Sequence, residues 1–125
     1  MTTDYVEIPE LSTYYLEDSF VLAIEQAPSE LRFRVELVLT ESHPLYRPAA
    51  PDKQHCYADG WLILSEAARV EWAWRSYQVF TDANGEIDLD NIDYLKRVGD
   101  HWLIGGSWGE ARVYTSNDPK VLVDE

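Results

Sequence analysis

The residues able to do chemistry in this chain fall into a few groups, and each implies a different ligand. The stretch TDANGEIDLDNIDYL (81–95) surrounds Gly85 with oxygen-bearing side chains, the raw material of a calcium loop. An EF-hand loop needs oxygen ligands at positions 1, 3 and 5, a glycine at 6 and a bidentate acid at 12. With Gly85 at position 6, Asp82 and Asn84 stand correctly at 3 and 5, but Phe80 and Asn91 occupy 1 and 12. Starting instead at Asp82 restores acids at 1, 5 and 12 (Asp82, Glu86, Asp93) and puts Ile87 where the glycine must be. Neither register makes the site. Asn84-Gly85 is instead the mark of a two-residue hairpin, because both residues tolerate positive φ.

Zinc would draw on His43, His55, His101 and Cys56, whose spacing matches no zinc pattern. His55 and Cys56 are adjacent, so on a strand they point to opposite faces and form no dyad. Carboxylate pairs for acid–base work are so abundant here that no single pair stands out. The chain lacks GxSxG, GxxxxGK[ST] and GxGxxG, and IGGSWGE (104–110) reads as a hairpin connection. No catalytic residue, metal or cofactor emerges. Five tryptophans remain. Trp72 and Trp74 share the phase of Val70 and read as core. Trp61, Trp102 and Trp108 lie near turns and read as exposed, where an indole is a common interface anchor. With His43, Tyr46 and His55 from the connection 41–56, they make up the candidate binding residues.

These groups must be held by strands. In LRFRVELVL (31–39), Leu31, Phe33, Val35, Leu37 and Leu39 fall on one face and Arg32, Arg34 and Glu36 on the other. SFVLAIEQ (19–26) offers Phe20, Leu22 and Ile24 on one face, and APSE joins the two with Pro28 at the second position of a type I turn. RVEWAWR (69–75) alternates with Val70, Trp72 and Trp74 inward. It also satisfies helical spacing at Val70, Ala73, Trp74 and Tyr77, and its β-branched and aromatic content favours strand. The phase slips at Tyr77 and Val79, which calls for a bulge near Arg75–Ser76. CYADGWLILS (56–65) is expected to pair with it through SEAA. Shorter strands follow at 91–97, 101–106, 110–116 and 120–123, divided by Gly99-Asp100, Ser107-Trp108-Gly109 and Asn117-Asp118-Pro119. The result is a mainly β chain, an antiparallel sandwich or partly closed barrel, with room for one or two short helices in 8–18 or 64–70. The connection 41–56 carries three prolines and reads equally as a functional loop and as edge protection.

A chain of 125 residues fits a single domain that buries roughly two-thirds of its unfolded surface. One cysteine forms no internal bridge, which suits a reducing cytoplasm. The acidic N-terminus lacks a signal-peptide pattern, and no apolar run approaches the roughly 18 residues of a membrane span. Twenty-three acids against ten bases give a net charge of −13. That surface repels phosphate backbones and anionic membranes and attracts a basic protein patch.

On YYLEDSFVL (14–22), DANGEIDLDNID (82–93) and GGSWGEARVYTS (105–116), the chain resembles a group of small uncharacterised bacterial proteins. Its size, acidity and β-rich character also resemble the small acidic immunity proteins that neutralise bacterial toxins. The resemblance implies a bacterial cytoplasmic protein and transfers no catalytic role to any position. The first expectation is therefore a non-enzymatic domain that binds a basic protein through an acidic face with exposed aromatics. The alternative is a ligand-binding barrel or small enzyme, its pocket lined by Trp61, Trp72 or Trp74 and closed by the 41–56 loop. A homodimer paired through edge strands is a third.

Overall fold

The computed structural model describes residues 2–49, 51 and 55–124. It contains the strands β1 (Thr2–Asp4), β2 (Phe20–Ala27), β3 (Glu30–Leu39), β4 (Cys56–Leu64), β5 (Arg69–Arg75), β6 (Phe80–Thr81), β7 (Ile87–Asp88), β8 (Tyr94–Val98), β9 (His101–Gly106), β10 (Gly109–Tyr114) and β11 (Lys120–Val123). One sheet has the order β1-β8-β9-β10-β5, a second β11-β4-β3-β2, and β6 with β7 makes a small hairpin. All pairings are antiparallel. The two large sheets bury their apolar faces against each other. Phe33, Val35, Leu37, Leu62 and Leu64 meet Leu95, Trp102, Ile104, Ala111 and Val113 in one core. No described strand pairs with both sheets, so the fold is a sandwich and not a barrel. Among the described residues the helical content is two short 3₁₀ turns, Tyr5–Glu7 and Leu16–Asp18. The second lies inside the expected 8–18 window, and 64–70 is not helical. No helix among the described residues is long and apolar enough to cross a membrane.

The β2–β3 hairpin forms as its alternation requires, with Ala27 opposite Glu30 around Pro28-Ser29. Its first strand departs from strict period two. The register passes from Val21↔Val35 to Ala23↔Arg34, which leaves Leu22 as a bulge. The extra residue shifts the phase, so Val21 and Ile24 point to the core while Phe20 and Leu22 do not. A second bulge lies at Ala73, where the register passes from Glu110↔Trp74 to Ala111↔Trp72. It comes before Arg75–Ser76, the place the sequence pattern indicated, and it turns Trp74 out of the core face.

The SEAA connection does not close a hairpin. Among the described residues β4 pairs with β3 and β11, and β5 pairs with β10 alone. Residues 65–68 instead carry the chain from one sheet to the other. Ala67 N–H donates to Ser29 O, Ala68 N–H donates to Tyr114 O, and Glu66 adopts φ 52°. Neighbouring stretches can pair only if their backbones stay in one sheet, and this crossover separates them.

Candidate interaction surface

Two of the six candidate binding residues lie in the core. Trp102 is fully buried and Trp108 is 1% exposed. Trp102 is an inward position of β9, and its Nε1–H donates to Asn117 O at 3.1 Å. Trp108 belongs to the turn between β9 and β10, but the turn folds its ring inward, where Nε1–H donates to Asn91 O at 3.0 Å. Gly106 permits this approach, since a Cβ there would sit 2.6 Å from Trp108 Nε1. Proximity to a turn therefore misplaced both indoles.

Trp61 lies on the outer face of the four-stranded sheet, opposite in phase to buried Gly60 and Leu62. The guanidinium groups of Arg32 and Arg34 stack over it at 4.8 and 5.4 Å. Both arginines are paired in turn, Arg32 with Glu25 at 2.7 Å and Arg34 with Asp124. Trp72 instead lies at the sheet edge, where Nε1–H donates to Gln26 Oε1 at 2.9 Å. Trp61, Trp72 and Trp74 thus occupy an outer face, an edge and an exposed position, and do not line one cavity.

His43, Tyr46 and His55 gather at the end of β3 and β4. His43 Nδ1 accepts the Leu45 N–H at 3.0 Å, which leaves the proton on Nε2 to donate to Tyr14 Oη at 2.9 Å. Both ring nitrogens are thereby committed in the neutral form, and burial pushes the imidazole below its ordinary pKa. An NMR titration is expected to show His43 charging below the usual histidine range, with Nδ1 unprotonated at neutral pH. Tyr46 packs partly buried against the core, its N–H donating to His43 O. His55 Nε2 donates to Asp18 Oδ2 at 3.0 Å between the edges of Tyr15 and Tyr57. Ala50 and residues 52–54 of the same connection lie outside the described residues. His101 sits in the other sheet, bound to Asp100 and in tilted ring contact with Tyr114. Among the described residues no three ligand side chains converge as a metal site.

The opening acidic stretch is a turn in the structure. Gly85 N–H donates to Asp82 O and Asp82 N–H to Glu86 O, so the reversal spans three residues rather than two. Within this reversal Gly85 takes the left-handed conformation, at φ 82°, and Asn84 does not; further along the stretch Asp90 also has a positive φ, 79°. Asp82 Oδ1 accepts the N–H groups of Asn84 and Glu86, so this carboxylate braces the turn.

That turn belongs to an exposed apolar corner which the sequence patterns did not single out. Trp74 is 49% exposed, Tyr77 79% and Ile87 60%, and Leu22, Val79 and Phe80 are also open to solvent. The segment after β5 leaves the five-stranded sheet at Ser76, whose N–H donates to Trp108 O. It then reaches β2, where Leu89 N–H donates to Val21 O and Val21 N–H to Asp90 O. It therefore runs between the two sheet edges that Trp72 and Gln26 already bridge. Residues 76–95 hold five acids (Asp82, Glu86, Asp88, Asp90, Asp93) and no lysine or arginine. Arg75 stands at the start of the segment, its guanidinium between Trp72 at 4.3 Å and Tyr77 at 4.9 Å. The phase slip at Tyr77 and Val79 was the sequence trace of this surface. Comparison with protein-family models, curated proteins and solved structures finds no match to the chain.

Proposed function

We propose that the chain is an acidic interaction domain that binds a basic protein at this corner, in the manner of a bacterial immunity protein meeting its toxin. The observation that supports it is the coincidence of exposed Trp74, Tyr77 and Ile87 with a segment holding five carboxylates and no lysine or arginine. Tryptophan, tyrosine and arginine are the residues that most often dominate interface energy, and Trp74, Arg75 and Tyr77 stand within four positions of one another. A second copy of the chain fits the corner poorly, because a two-fold contact would set its acids against themselves. Strand addition is also opposed, since β2 and β5 each carry a bulge, a common protection of open edges. Partner recognition through side chains is what this surface favours. The lone thiol of Cys56 agrees with a bacterial cytoplasmic setting.

The test is calorimetric titration with a synthetic amphipathic lysine–leucine peptide and with its glutamate–leucine counterpart. The lysine peptide is expected to bind and to weaken as salt rises from 20 to 200 mM. Trp74→Ala and Tyr77→Ala are each expected to weaken it by about tenfold or more. Equal binding of the glutamate peptide, or binding indifferent to salt and to both substitutions, would overturn the reading.

A further inference from the structure

Where β8 and β10 end and β5 begins, at the opposite end of β5 from Trp74, lies a cleft of about 400 Å³. Arg69, Arg97, Asp100, Tyr114 and Ser116 are among its lining residues. Its volume falls within the roughly 300–1,000 Å³ of small-molecule pockets. Arg97 is the unusual member. It stands opposite Trp102, which stands opposite Val113, and both of those side chains are buried. Residues directly opposite in a sheet share a face, so Arg97 occupies the inward phase at the sandwich end. It is half-buried, and its Nη1–H donates to Thr115 O at 2.8 Å. No carboxylate among the described residues lies within ion-pair reach of it. In a chain of twenty-three acids and ten bases that is unexpected. An exposed cation has water as its counterpart, whereas a guanidinium partly withdrawn from water loses solvation that an anion restores.

We infer that the cleft binds a small organic monocarboxylate, with Arg97 as its anchor. The bond to Thr115 O fixes the guanidinium and spends one N–H, which leaves a pair of donors for a fork. Two parallel N–H bonds to one planar anion are the arrangement that carboxylates fill best. Charge separates this ligand from a phosphate. Arg69 is already matched by Glu71 Oε2 at 3.0 Å and lies in the field of Asp100. Arg97 therefore supplies the unmatched charge, which suits a monoanion, whereas a phosphate near neutral pH carries close to two. The Ser116 hydroxyl has no hydrogen-bond partner among the described residues and is the further donor at the cleft. Tyr114 forms a fixed wall: Arg69 lies over its ring at 4.0 Å, His101 meets it at 5.0 Å, and its Oη donates to Glu71. Asp100, largely exposed and held to His101 Nδ1 at 3.0 Å, sets a negative charge at the mouth and disfavours ligands with a second anionic group.

The test is an NMR titration of the isotope-labelled full chain with benzoate, with its neutral counterpart benzamide, with the dianion phthalate and with inorganic phosphate. Benzoate is expected to move the Arg97 Nε–H and Ser116 amide resonances saturably, and benzamide is not. Arg97→Gln keeps an N–H for Thr115 O and removes the charge, and benzoate is expected to bind it about tenfold more weakly or worse. Arg97→Lys keeps the charge without the fork, and a loss of about three- to tenfold is expected. Glu71→Gln, at an exposed position, releases Arg69 and is expected to strengthen phosphate binding about threefold or more. Equal binding of benzamide, tighter binding of phosphate or phthalate by the parent chain, or no saturable shift with benzoate would overturn the assignment. So would benzoate affinity unchanged by Arg97→Gln. Should that variant fail to fold, Ser116→Ala decides: a loss of about threefold supports the site, and unchanged affinity overturns it.

Discussion

Trp108→Ala is expected to destabilise the fold by about 3–5 kcal/mol, the range for truncating a large buried aromatic. The ring is almost wholly buried and packs against Phe33 at 4.9 Å and edge-on to Trp72 at 6.1 Å. Those contacts join the four-stranded sheet, through β3, to the β5 edge of the five-stranded sheet. Removal also leaves Asn91 O without its Nε1–H donor. A domain of this size is stable by about 5–15 kcal/mol, so the loss is a large fraction of the whole. Trp108→Phe keeps a ring and loses the hydrogen bond, and a smaller loss of about 1–2 kcal/mol is expected. Trp74→Ala is the control: its side chain is half exposed, and a change near 0.5 kcal/mol is expected. Urea unfolding of the three variants measures all of this. A Trp74 loss equal to that of Trp108 would contradict the burial described above.

That contrast also shows what the sequence could and could not convey. Alternation located β3 well, because its ten residues keep one phase and every second side chain enters the core. Pairing of β9 with β10 was equally readable, since a two-residue turn joins them. The two bulges were harder. A single extra residue at Leu22 or Ala73 reverses every later side chain, and neither residue type announces it. Phe20 and Trp74 consequently exchanged faces with respect to the simple pattern, and Trp74 left the core. Trp108 went the other way, because the inward fold of its turn depends on the space Gly106 leaves and on an acceptor at Asn91, fifteen residues before Gly106. The pairing of β4 with β11 links positions about sixty residues apart, beyond the reach of local periodicity. Of the surface, the acidic stretch was visible in composition, and the apolar partners that give it shape were not.

The fold is expected to lose stability steeply above pH 10, and Tyr5 is the main reason. Its hydroxyl is buried, accepts the Leu16 N–H at 3.1 Å and donates to the Glu17 carboxylate. Burial, followed by the bond to Glu17, raises its pKa far above the ordinary tyrosine value, because a phenolate there would lose water and face a carboxylate. Tyr94 is pushed up to about 12 by burial and by its bond to Glu110. Burial raises Tyr14 and Tyr57 as well. In the unfolded chain all of them ionise near pH 10. Because the folded values are the higher ones, their contribution is complete below pH 10. It is lost as pH rises, since the unfolded state then releases protons that the folded state retains. Urea midpoints at pH 8, 10 and 11 should therefore be flat over the first interval and fall over the second. Tyr5→Phe is expected to cost about 1–3 kcal/mol at pH 8, since the buried Leu16 N–H loses its acceptor. It should also flatten the alkaline fall, because the group that resists ionisation is gone. A Tyr5→Phe variant that lost stability above pH 10 as steeply as the parent would place the alkaline transition elsewhere in the molecule.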